Sequence, residues 1–158
     1  MNPPFFRATY SLNLKITTAV ILAILFLAGA LGGTTGLLIS GALIPASLLL
    51  VITGFSVQRG NLVVHSLVWS KSFDLCELVD IRVEPGITLG SMRTFGSGGL
   101  FASIGYFTNQ ALGNYLGYMT DPQNAVVVEF TNRLVVVTPE DPQGLQEAVL
   151  AEYRRIRI

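Results

Sequence analysis

The chain has 158 residues, 51% of them hydrophobic and only 13% charged, whereas about a quarter of residues are charged in an ordinary soluble domain. Formal net charge is zero, and from Arg59 onward eight Lys or Arg stand against ten Asp or Glu, which leaves no basic surface for nucleic acid, so no nucleic acid is expected as a partner. The one cysteine, Cys76, cannot form an internal disulfide or a CxxC metal site, and it fits a reducing compartment.

Residues 1–15 read as a short cytoplasmic segment carrying Arg7 and Lys15. From Ile16 to Gln58 no side chain is ionisable. A spanning helix needs about 20 mostly apolar residues, so this run holds two spans and a turn. The predicted transmembrane hairpin occupies 16–54, with spans 16–33 and 37–54 and turn composition from Gly32 to Gly36. Pro45 is expected to kink the second span. The small residues Ala28, Gly29, Gly32, Gly33 and Gly36 suit close helix approach. An even number of spans puts both ends on one side of the membrane. Positive charge flanks the hairpin (Arg7, Lys15, Arg59, Lys71) and is missing from its turn, so the positive-inside rule places both termini and the following domain in the cytoplasm, on a multi-pass plasma-membrane protein. A secretory signal is the competing pattern, with Arg7 and Lys15 as its charged start, Ile16 to Leu27 as its apolar stretch and Ala28-Gly29-Ala30 as its cleavage site. The long charged start and the second apolar segment that follows at once favour the hairpin.

The water-facing domain is expected over 55–158, and its pattern becomes strand-like. Phe55 to Arg59 and Leu62 to Lys71 read as strands joined by Gly60-Asn61. Ile81 to Glu84 reads as a third, ending at Pro85-Gly86, followed by a glycine-rich excursion from Gly90 to Gly117. Ala125 to Phe130 and Leu134 to Thr138 form a hairpin across Thr131-Asn132-Arg133. A helix over about 142–156 closes the chain, with Asp141 as N-cap, Pro142 at its first position and an apolar stripe of Leu145, Val149 and Tyr153. Short strands followed by one amphipathic helix describe a small antiparallel barrel or sandwich with its open end plugged.

The segments Val57-Gln-Arg-Gly-Asn-Leu, Leu78-Val-Asp-Ile, Arg93-Thr-Phe-Gly-Ser-Gly-Gly-Leu-Phe-Ala-Ser-Ile-Gly-Tyr-Phe, Leu112-Gly-Asn-Tyr-Leu-Gly-Tyr and Asn132-Arg-Leu-Val-Val-Val-Thr-Pro-Glu-Asp-Pro resemble small membrane-anchored bacterial pleckstrin-homology (PH) domain proteins over roughly residues 55 to 152. The resemblance implies a mainly-β PH-like split barrel of about seven strands with one C-terminal α-helix, and a binding or assembly role with no enzyme activity. PH domains that bind phosphoinositides place Lys and Arg between their first two strands. Here that loop is Gly60-Asn61, with Arg59 and Lys71 as the nearest charges, too few for a phosphate site built of converging charged donors.

The glycine-rich segment supplies the candidate contact residues for a partner or the membrane: Arg93, Gly96, Gly98, Gly99, Leu100, Phe101, Tyr106 and Phe107. Its Gly96-Ser97-Gly98-Gly99 run lacks a complete phosphate-loop pattern and reads as a structural loop. Asp74, Glu77, Asp80 and Glu84 read as a solvated face, not a cation site. His65 is the sole histidine, so no catalytic triad or histidine metal site is at hand. Cys76 reads as a buried small hydrophobe, and Arg154, Arg155 and Arg157 complement the terminal helix dipole. The expectation is therefore a non-catalytic module without cofactor, metal or small-molecule substrate, held by two spans and serving a protein partner or self-association. Direct binding of lipid headgroups is the alternative.

Overall fold

The computed structural model describes residues 4–157, except for the side chains of residues 97–100. Two helices lead. α1 runs Leu12–Leu31 and α2 runs Gly33–Ser47, continued by a 3-10 turn over Leu48–Leu50. Both are long and apolar enough to cross a membrane, counting α2 with its turn, and little of either is covered by protein. α1 starts a turn earlier than the apolar run because Ser11 caps it, its Oγ accepting the Leu14 amide at 3.3 Å. The expected Gly32 to Gly36 turn contracts to Gly32 alone, and the chain re-enters a helix at Gly33 (φ 60°). Close approach requires glycine here. A Cβ on Gly29 would lie 2.9 Å from Ser40 Oγ, and one on Gly36 would lie 2.6 Å from the Ala28 carbonyl oxygen. Ser40 donates across to the Leu25 carbonyl at 2.7 Å, so packing and one interhelical hydrogen bond join the pair.

The strands are β1 (Phe5–Arg7), β2 (Ile52–Gln58), β3 (Asn61–Ser66), β4 (Ser70–Asp74), β5 (Leu78–Val83), β6 (Met92–Leu100), β7 (Ala102–Asn109), β8 (Gly113–Met119), β9 (Val126–Phe130) and β10 (Arg133–Val137). They form a four-stranded sheet in the order β1-β2-β3-β4 and a six-stranded sheet in the order β5-β9-β10-β8-β7-β6. β10 and β8 run parallel, and every other pair is antiparallel. Phe55, Leu62 and Val64 of the first sheet meet Val126, Val128, Val135 and Val137 of the second. α3 (Pro142–Ile156) covers this core with Leu145 and Val149, both fully buried. Its N-cap is Asp141, whose carboxylate accepts the Gly144 amide at 2.9 Å. Val127 and Val136 point to the opposite face and join Phe107, Tyr115 and Met119 in a second cluster. The continuous valine runs of β9 and β10 thus mark strands buried on both faces.

Several expectations change. The N-terminal segment is no free tail. Phe6 of β1 pairs with Phe55 of β2, and the Arg7 carbonyl accepts the Glu140 amide at 2.8 Å. A strand before α1 and a strand after α2 therefore share one sheet. The Leu62 to Lys71 arm is two strands, because Ser66 donates to the Trp69 carbonyl at 2.8 Å and folds the chain over Leu67-Val68. The β2–β3 loop is Arg59-Gly60, one residue earlier than expected, with φ positive at both residues as a tight hairpin turn requires.

The glycine-rich segment is chiefly β6, β7 and β8, not a loop. Gly96 opposes Gly105, and both hold positive φ (123° and 144°). A Cβ on either would come within 2.7 Å of the other's Cα. The glycines thus allow two strands to touch where side chains would force them apart. Cys76 is exposed, in the 3-10 turn Leu75–Glu77 that buries Leu75 instead.

Candidate interaction surface

β6 ends the six-stranded sheet, so one of its edges is free of strand partners among the described residues. A row of side chains runs toward that edge in register: Val135 of β10, Leu116 of β8, Tyr106 of β7, Phe95 of β6. Val135 is fully buried and Leu116 packs against the core. Tyr106 is 55% exposed and Phe95 77% exposed. The core-facing side of the sheet therefore continues past the cover of the other sheet and ends as exposed aromatic surface, with Met92 also exposed on β6. Register shifts between Arg93 and Phe95 and between Ser97 and Leu100 interrupt the ladder. Such bulges blunt a free edge against long backbone pairing, so side chains are the chief contact this edge offers.

Of the residues expected to make contacts, Arg93 is exposed on β6 and Tyr106 stands in the aromatic row. Gly96 works inside the hairpin against Gly105. Gly98, Gly99 and Leu100 belong to β6, and their side-chain surroundings lie outside the described residues. Phe107 is buried on the opposite face and stacks on Tyr115, centroids 5.7 Å apart, so it serves the core. Phe101 forms the tip of the β6–β7 hairpin with φ 59° and donates its amide to Thr18 Oγ1 of α1 at 3.0 Å. The tip is thus fastened to the first apolar helix. Phe95 is absent from the residues expected to make contacts, because reading its glycine neighbours as a loop hides the strand that carries it.

A second apolar turn flanks the other helix. Leu67 and Val68 are exposed between β3 and β4, and Trp69 Nε1 donates to the Leu49 carbonyl at 2.7 Å. The domain therefore grips both helices at their domain ends.

Several polar groups elsewhere are engaged locally. Arg82 stands amid the carboxylates of Asp80 (3.1 Å), Glu84 (2.5 Å) and Glu129 (3.4 Å), and no metal-ligand cluster occurs among the described residues. His65 Nε2 lies 2.7 Å from Ser56 Oγ. Asp74 accepts the Cys76 amide at 2.8 Å, and hydrogen bonding to Asp74 pushes the Cys76 thiol up from its ordinary range. Arg157 folds onto Tyr153, and Arg155 lies 3.6 Å from Glu152. Glu152 also accepts the Gly60 amide at 2.8 Å. A carboxylate therefore sits at the β2–β3 turn, where phosphoinositide-binding PH domains gather positive charge.

Comparison with curated proteins finds no match, and comparison with solved structures finds none either. The family described as Bacterial PH domain matches residues 53–152, from the second residue of β2 into the last turns of α3. A match over most of the chain, on a two-sheet domain closed by a C-terminal helix, places this protein in the bacterial PH domain family.

Proposed function

We propose that the protein is a membrane-anchored, non-catalytic PH module that binds or organises a protein partner at the cytoplasmic face of the cell membrane. The spans are α1 and α2, with boundaries close to 12–31 and 33–50. Their large side chains, such as Phe26, Leu31 and Leu38, are exposed from the protein, as lipid-facing residues are and core residues are not. β1 and β2 share a sheet on either side of the hairpin, which supports an even number of crossings with both ends on one side. Cleavage near Ala30 would remove β1 and Phe6 from a formed sheet, which argues against a signal sequence. Arg7, Lys15, Arg59 and Lys71 on that same side support the cytoplasmic orientation.

The observation that carries the binding role is the aromatic pair Phe95 and Tyr106 at the free edge. Six residues of strand, about 20 Å, separate Phe95 from the tip at Phe101. That is enough for the pair to clear the headgroup layer, which adds about 5–8 Å to each side of the hydrocarbon. Exposed aromatic surface standing in water is the kind that proteins bury against one another. The module is already anchored and needs no lipid affinity for recruitment. The test is purification of the full chain in mild detergent, where a protein partner or a second copy is expected to co-purify and to be lost on Phe95→Asp. Retention on that variant, with salt-sensitive flotation on anionic liposomes, would favour headgroup binding by the domain instead.

A further inference from the structure

Two apolar tips of the β domain lie beside the helices, one against each. The first is the β6–β7 tip. β6 touches α1, β7 touches the 3-10 turn Leu48–Leu50, and the Phe101 amide donates to Thr18 Oγ1 at 3.0 Å. Thr18 stands three residues past Lys15, about 4.5 Å further along the helix. α1 has 20 residues and so a length of about 30 Å, which matches the hydrocarbon thickness and leaves none to spare outside it. The tip therefore reaches a level of α1 that the acyl chains cover. Its sequence suits that place, since no Asp, Glu, Lys, Arg or His occurs from Thr94 to Thr120. A backbone donor left unpaired among acyl chains is costly, and Thr18 pairs the one at the turn itself.

The second tip is the β3–β4 turn. Leu67 is 57% and Val68 61% exposed, and the Leu67 amide donates to the Val51 carbonyl at 3.1 Å, just past the end of the second apolar segment. Trp69 beside them is tied to Leu49, at the level where tryptophan gathers in membrane proteins. Lys15 and Lys71 are exposed near the two tips, and neither makes an ion pair among the described residues. A lysine so placed lays its stem along acyl chains and its charge among the headgroups. Apolar tips with flanking lysines on both sides of the helical hairpin fit a lipid surface. We infer that the Phe101 tip and the Leu67-Val68 turn dip into the bilayer interface as two attachments beyond the spans. This rests on reading α1 and α2 as membrane spans. The contact is apolar and selects no particular headgroup, so it sets orientation, not recruitment. With Phe101 held in the interface, β6 and β7 rise away from the membrane and carry the Phe95 edge into water, where a protein can reach it.

The full chain is reconstituted in liposomes of phosphatidylcholine and phosphatidylglycerol with a nitroxide label at Phe101→Cys or Val68→Cys, each combined with Cys76→Ser. The label's accessibility to oxygen, which concentrates in lipid, is compared with its accessibility to a water-soluble nickel complex. Ile24→Cys on α1 and Met92→Cys at the far end of β6, both at exposed positions, serve as the lipid and water references. Oxygen-dominated signals at both tips, retained at high salt, are expected. A nickel-dominated signal at either tip would overturn the inference. So would loss of the oxygen preference at high salt, which would make the contact electrostatic binding of headgroups. Trp69 is the sole tryptophan, so the unsubstituted chain gives an independent reading. Lipids brominated high on their acyl chains should quench its fluorescence, and an unquenched signal would count against the inference equally. A lipid-like signal at position 24 with water-like tips sinks this inference and leaves the spans standing. A water-like signal at position 24 sinks both.

Discussion

Replacing Phe6 by alanine tests whether the residues before α1 belong to the same folded unit as those after α2. Phe6 pairs with Phe55 across β1 and β2 and packs, partly buried, on the main core. Truncating a core phenylalanine costs about 3–5 kcal/mol. With the ring half-covered, roughly 2 kcal/mol is expected, about a thirtyfold rise in the unfolded population. Set against a domain stability of about 5–15 kcal/mol, that shift is measurable without unfolding the protein. The assay is urea-dependent proteolysis of the full chain in detergent, with Leu89→Ala, at an exposed position, as the control. A difference from the control below about 0.5 kcal/mol, the usual scale of surface changes, would refute the packing of β1. The argument that both ends of the hairpin meet on one side would then lose its structural support.

Further perturbations probe other parts of the structure. Gly105→Ala puts a side chain at φ 144° and its Cβ 2.7 Å from the Gly96 Cα. A strain of about 1–3 kcal/mol should loosen the hairpin, seen as faster hydrogen exchange at the Phe101 amide. Gly36→Leu removes the close approach between α1 and α2, and a cysteine pair engineered across that contact should lose its crosslink while the β domain keeps its unfolding midpoint. The Cys76 thiol is pushed up by its hydrogen bond to Asp74, so less thiolate is present at neutral pH and maleimide should react more slowly than at Ser72→Cys. Asp74→Ala should speed the Cys76 reaction; an unchanged rate would show that the pairing has no effect in solution.

What the sequence made legible was what local physics decides. The uncharged run announced two long apolar helices by length alone, and Asp141-Pro142 announced α3 because a side-chain cap and a missing amide act within one turn. β1 was illegible because Phe5–Arg7 is too short for a period and becomes a strand only through β2. The fold at Leu67-Val68 carries no glycine or proline and depends on Trp69 reaching Leu49, a contact twenty residues away. Glycines usually punctuate loops, and Gly96 and Gly105 reverse that meaning because they face each other across a strand pair. Cys76 looked buried between two leucines, but the 3-10 turn beginning at Leu75 rotates it outward. The exposed aromatic edge stayed hidden for a related reason. Whether Phe95 lies in the core or beyond it depends on how far the second sheet extends, and strand alternation alone does not encode that.

The most direct test of a protein-binding surface at the β6 edge is a photo-crosslinking residue placed at Phe95 of the full chain in intact cells, compared with the same residue at the exposed Val79 of β5. The account predicts a discrete protein adduct from position 95 that is absent from position 79. Identical, diffuse or lipid-only products from the two positions would contradict it.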